Sequence, residues 1–424
     1  MNSTSVGYKG KGTSSSDITA IRRKRAEFRG YSQTDKKRGT LTMTDLVSFK
    51  PTLNVYSQIT GLSVESGPPG PPGPPPTLWQ SSLGYSVSAD RVLPLIYASG
   101  KWVSYGDVPQ YSLDGITWVE GGAAPGFYIH EGNIAYGNGK WVAVGKNSLG
   151  PDSNIVYSSD GVNWSNVSTT DVFLGGSAYG IAYGDGKWIA CGYSADYDQN
   201  TIWSSTDGDT WTGFQAFGNE YANSAAYGGG KWVVLGLGGS GSNIWWSSNA
   251  TDWSNTGSTV FGDGVEYSSQ IYNNGRWVAV ASLYGGTGSS ICTSTDGITW
   301  TESTPSVALT DRVGVAYANG KWVAVGSSAA GSNIWWSPNG TDWSNTTGST
   351  FEGGVYSVAY AGGYWVASGS NDAGSNVAYS SDGITWSNVS ALGVGGYGLT
   401  VAYGDNTWLV GGSGEVNNIW YSQL

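Results

Sequence analysis

Five times the sequence runs serine, any residue, aspartate, glycine, two residues and tryptophan: Ser112–Trp118, Ser158–Trp164, Ser205–Trp211, Ser294–Trp300 and Ser380–Trp386. The carboxylates of Asp114, Asp160, Asp207, Asp296 and Asp382 can each accept hydrogen bonds from amides of their own turn. The glycine that follows can take positive φ, and the tryptophan can wedge between packed layers. Repeated metal ligation is the rival chemistry. It is disfavoured because two further copies, Asn249-Ala250-Thr251-Asp252-Trp253 and Asn339-Gly340-Thr341-Asp342-Trp343, move the acid. The five aspartates are therefore expected to be structural turn residues, and no metal or other cofactor is expected.

Other chemistry-bearing residues are sparse. His130, the single histidine, adjoins Glu131; a general base needs convergent partners, so a loop role is expected. From residue 77 onward there are three arginines, Arg91, Arg276 and Arg312. Arg276 stands where most units place lysine in Gly-Lys-Trp, away from any shared centre, and Arg91 and Arg312 follow Asp90 and Asp311, where local ion pairs are expected. Cys191 and Cys292 are too few for a disulfide framework or thiolate metal site, so both are expected buried and unpaired. The tandem pairs Trp245-Trp246 and Trp335-Trp336 could stack on sugars, but core packing is the expectation. Polar loops such as Asp196-Tyr197-Asp198-Gln199-Asn200 keep glycan binding open as an alternative.

These residues are positioned by one repeat. A tryptophan after a short turn recurs at Trp102, Trp141, Trp188, Trp232, Trp277, Trp322, Trp365 and Trp408, with a mean spacing of about 44 residues, the length of a four-stranded blade. Unit six shows four short runs, Val313–Tyr317, Lys321–Val325, Asn333–Ser337 and Thr341–Ser344. Turns such as Asn319-Gly320, Asn138-Gly139, Asp185-Gly186 and Ser99-Gly100 signal tight hairpins. The fold expected is all-β, an eight-bladed β-propeller over residues 77–424, or a seven-bladed one if the divergent first unit forms no full blade. The chain ends in a third strand, Asn418–Leu424, and Thr77-Leu78-Trp79-Gln80 resembles the missing fourth, so the two ends are expected to pair and close the ring.

The Ser-x-Asp-Gly-x-x-Trp motif resembles the Asp-box of sialidase-type propeller repeats, with aspartate and glycine adjacent where the family motif has one more residue between them. The resemblance spans about 350 residues and implies the propeller. Sialidases also imply an arginine triad with a tyrosine nucleophile, which three scattered arginines do not suit; the expectation is a protein that is not an enzyme, with a polysaccharide-active hydrolase as a distant alternative.

Residues 1–60 differ in character. Residues 1–50 hold 11 Lys/Arg against 4 Asp/Glu, a net +7, whereas residues 51–424 hold 9 against 27, a net −18. The basic cluster Arg22, Arg23, Lys24, Arg25, Arg29, Lys36, Lys37 and Arg38 is the expected attachment element, either a solvated arm or one ordered by docking on an acidic partner. Residues 61–76 form a linker containing the Gly-Pro-Pro triplets of 67–76, which either space two domains or wind with two further copies into a homotrimer. No apolar run approaches the roughly 18–20 residues of a membrane span, the polar start is unlike a signal peptide, and the acidic body disfavours nucleic acid. This layout of basic arm, collagen-type triplets and acidic propeller resembles phage fibre and appendage proteins. It implies a virion component of a tailed phage, bound to other virion proteins through its arm and displaying the propeller for host-surface recognition, a surface glycan included, or for decoration of the particle.

Overall fold

The computed structural model describes residues 75–83 and 94–423, apart from 148–153, 196–199, 218–219, 238–241, 258–259, 262–264, 284–287, 329–331, 349–350, 352, 371–375, 390–396 and 414–417. The basic cluster Arg22–Arg38, nearly all of the Gly-Pro-Pro run, Asp90, Arg91 and residues 196–199 lie outside the described residues.

The chain forms eight four-stranded antiparallel sheets. In seven of them the four strands follow one another in sequence as a meander. Each innermost hairpin turns on two residues, both left-handed: Ser99 and Gly100 at φ 50° and 74°, Asn138 and Gly139 at 47° and 74°. This is the turn whose twist matches the flanking strands, and it explains the Asn-Gly and Asp-Gly pairs there. Beside each turn a tyrosine of the first strand faces the marker tryptophan of the second, as in Tyr136↔Trp141 and Tyr317↔Trp322, with ring centroids 4.7–5.3 Å apart across the eight blades. All eight tryptophans are buried. Such cross-strand aromatic pairs stabilise a sheet locally.

Among the described residues no blade has a core of its own. The eight apolar clusters each combine residues of two neighbouring blades: Ile96 and Val103 of blade one with Ile134 and Trp141 of blade two, and so on to Leu95 and Trp102 with Ala402, Leu409 and Ile419 of blade eight. Strands buried by neighbours on both faces explain the unbroken apolar runs Trp-Val-Ala-Val. The first unit is a complete blade, Leu95–Ala98, Lys101–Tyr105, Pro109–Ser112 and Val119–Glu120, so the ring has eight blades. The innermost strands touch those of both neighbours all the way round, which places them about the axis.

Blade eight closes from both ends. Gln80–Ser81 pairs antiparallel with Ile419–Gln423, Gln80 opposite Tyr421 and Ser81 opposite Trp420. The paired strand lies later than Thr77–Gln80, because Thr77–Trp79 form the turn before it: the Thr77 amide donates to Pro75 O at 2.8 Å and the Trp79 indole to Pro76 O at 2.9 Å. Unit six departs in the same way. Its fourth strand is Ser344–Asn345, and Thr341–Trp343 belong to the turn.

Candidate functional site: two faces of the ring

The Ser-x-Asp-Gly turns join the third and fourth strands, at the same end of each blade as the tight inner hairpins. Ser112 Oγ donates to Asp114 Oδ1 at 2.9 Å and accepts from the Gly115 amide at 2.9 Å, while Asp114 Oδ1 accepts from the amides of Ile116 and Thr117, both at 2.8 Å. The pattern recurs at Asp160, Asp207, Asp296 and Asp382. Slight burial pushes these carboxyls up, but the amide and serine hydrogen bonds outweigh it and hold all five below the usual carboxylate range. In units four and six the side-chain oxygens of Asn249 and Asn339 accept the same two amides at 2.8–2.9 Å, and their Nδ2 groups donate to Asp252 and Asp342 at 2.7 Å. Unit two carries the reverse pair, Asn163 Nδ2 donating to Asp160 Oδ2 at 3.0 Å. What the turn requires is one acceptor oxygen, which is why aspartate and asparagine exchange there.

In units one to three the lysine of Gly-Lys-Trp ties the turn of the next blade to its own blade. Lys101 Nζ donates to Asp160 O at 2.6 Å, Lys140 Nζ to Asp207 O at 2.7 Å and Lys187 Nζ to Asn249 O at 2.6 Å. Outer strands add a clasp between blades: Trp164 N donates to Gly122 O, Trp343 N to Thr304 O, Trp386 N to Thr347 O, and across the closure Trp118 N to Leu83 O. The repeated polar groups of this face therefore hold blade to blade.

The opposite face differs in kind. In blades two to eight the innermost strand carries a register shift near its start. The extra residues there include Tyr179, Asn223, Tyr267, Asp311, Arg312, Tyr356 and Leu399. A bulge re-aims a side chain, and here the bulges lie at the ends of the innermost strands, opposite the tight hairpins. The signal in the sequence is the glycine four residues after the marker tryptophan: a Cβ at Gly145, Gly192, Gly236, Gly369 or Gly412 would collide with a carbonyl of the bulged strand. Arg312 stacks over Tyr267 at 5.1 Å. Burial pushes the Tyr356 hydroxyl up; a hydrogen bond with Ser370 opposes it, and the charge of Asp311 and a hydrogen bond to it add to the rise. Tyr221 packs on Tyr193 at 4.7 Å and lies 6.2 Å from Tyr179. A cleft of about 420 Å³ between blades two and three is walled by Tyr128, Lys146, Ser177 and Tyr179.

The other candidates fall as follows. Arg276 donates to Thr293 Oγ1 at 3.1 Å at the hairpin end of blade five, and Arg312 lies at the bulged end of blade six, so these two arginines do not converge. The local pair expected for Arg312 does not form: Arg312 takes the Tyr267 ring and Asp311 the Tyr356 hydroxyl. His130 and Glu131 fall in a strand, Phe127–Gly137, where its register shifts, and not in a loop. Cys191 and Cys292 are buried and free, and burial pushes both thiols up. Trp245, Trp246, Trp335 and Trp336 all pack on the inter-blade cores, as core residues should. Among the described residues no group of acidic, histidine or cysteine side chains is arranged to hold a metal, and no helix is long and apolar enough to cross a membrane.

Fold and faces together define an eight-bladed β-propeller with a blade-locking face and a bulged face. No family model and no curated protein matches the chain. Among solved structures it is similar to the computationally designed Ika8 protein, with TM-score 0.53 and 11% identity over 81% of this chain and 98% of that one. It is also similar to the WD40 beta propeller domain of Doa1 (TM-score 0.46, 14% identity, 82% and 97% covered) and to YCF48 bound to D1 peptide (0.47, 13%, 82% and 95%). At these identities the likeness speaks to the fold alone.

Proposed function

We propose that this chain is a non-enzymatic virion component of a tailed phage, attached to other virion proteins through residues 1–60 and displaying the propeller for host-surface recognition or particle decoration. The observation that carries it is the division of the chain: a basic arm of net +7 in residues 1–50, set against −18 in the rest, joined to a ring whose repeated polar residues lock blade to blade. Arg22, Arg23, Lys24, Arg25, Arg29, Lys36, Lys37 and Arg38 are the attachment residues of this proposal, docking on an acidic partner surface. The Ser-x-Asp-Gly-x-x-Trp turn is taken as a close variant of the Asp-box, used structurally. Catalysis is disfavoured by the separation of Arg276 from Arg312 at opposite ends of neighbouring blades. Mass spectrometry of gradient-purified particles tests the assignment: the chain should be present in fixed ratio to the other structural proteins, and its absence from particles overturns the proposal.

A further inference from the structure

We propose that the bulged face binds a neutral oligosaccharide along a tyrosine platform running from blade four to the cleft between blades two and three. The proposal deepens the recognition function above and rests on it. A pyranose offers an apolar C–H face and a rim of hydroxyls, so a site for it needs an exposed aromatic face beside polar donors and acceptors.

Tyr221 meets the first need. It is 39% exposed, a high value for so large a ring in a molecule whose aromatics are otherwise mostly covered. Its other side is backed by Tyr193, with centroids 4.7 Å apart and planes 31° from parallel. A ring held in this way loses little freedom when a ligand stacks on it. Tyr179, 6.2 Å away, continues the platform. It is a bulge residue, lying between the paired Ala178 and Gly180, and the strand's alternation does not dictate where it points.

Tyr179 is also a wall of the cleft of about 420 Å³, together with Tyr128, Lys146 and Ser177. That volume accommodates one or two sugar units. Lys146 brings an ammonium with three donors and Ser177 a hydroxyl that donates or accepts, so one unit sits in the cleft bonded through its hydroxyls while its neighbour lies over Tyr221. The same tyrosines would also stack on nucleobases, but residues 51–424 carry a net −18, which repels a polyanion at long range. Neutral sugar is the class that suits both the stacking faces and the field.

The test uses the full chain on an array of gluco-, galacto- and manno-oligosaccharides beside two anionic probes, heparin and polysialic acid. Retention of at least one neutral oligosaccharide is expected, with the anionic probes not retained. For that oligosaccharide Tyr221→Ala and Tyr179→Ala should each weaken binding about tenfold or more, and Lys146→Gln about threefold. Leu113→Ser, on the opposite face and 66% exposed in the wild type, should bind as the wild type does. Thermal melting identifies any variant that has lost the fold, and Lys146→Gln, an exposed change, keeps the test decisive if a tyrosine variant unfolds. No neutral oligosaccharide retained, anionic probes alone retained, or undiminished binding by folded variants each overturns the proposal. None of these results touches the presence of the chain in particles, so failure here and failure of the virion assignment are separable.

Discussion

At the scale of single residues, the five turn aspartates are acceptors held by backbone amides, and their ionisation is coupled to folding. Their folded pKa values lie below those of the unfolded chain, where aspartate titrates near about 3.9. Their contribution is therefore complete above that pH and is lost as pH falls through the lower folded values. Asn249 and Asn339 do the same work without titrating. Asp296→Asn should thus hold its stability at pH 7 and soften the loss as pH falls below the ordinary aspartate value of about 3.9, whereas Asp296→Ala, which strands the Ile298 and Thr299 amides, should cost about 1–2 kcal/mol at pH 7. Urea unfolding midpoints across pH check this. Equal damage by Asn and Ala would mean that charge, and not an acceptor oxygen, is what the turn needs.

At the scale of elements, one of the shortest strands closes the ring. Gln80–Ser81 is two residues long, yet it supplies the fourth strand of blade eight and brings Trp79 into the core with Val401, Trp408 and Trp420. Trp79→Ala should cost roughly 3–5 kcal/mol. Deleting Thr77–Gln80 should lower the melting temperature further, by baring the edge of Ile419–Gln423 as well; an unchanged melting temperature would show that blade eight closes by itself. This closure was legible in the sequence, because Thr77-Leu78-Trp79-Gln80 resembles Ile384-Thr385-Trp386-Ser387, which leads into the fourth strand of unit seven. The inner hairpins were legible too, since only a few residue pairs tolerate two left-handed positions in a row. The bulges were not. Their residues share no type, and the marker is the glycine opposite them, which in Trp322, Ala324 and Gly326 reads simply as alternation of large and small. Nor did spacing alone reveal the Lys101–Asp160 type of contact, which joins residues more than fifty positions apart.

At the scale of the whole molecule, all eight apolar clusters of the described residues span two neighbouring blades, so each blade depends on both its neighbours for burial. The locking face repeats the same acceptor-oxygen turn in seven blades, whereas the residues at the bulges share no type. The arm carries the opposite charge to the ring. Exposed charges are screened beyond about 8–10 Å near physiological salt, so attachment resting on the basic cluster alone should weaken as salt is raised. The most direct measurement compares the full chain with residues 77–424 alone, each added to particles assembled without it, at low and at physiological salt. The central claim predicts that the shortened chain melts cooperatively as a soluble ring and stays unbound while the full chain attaches. Equal attachment of the two would contradict it and move the partner contact to the acidic ring.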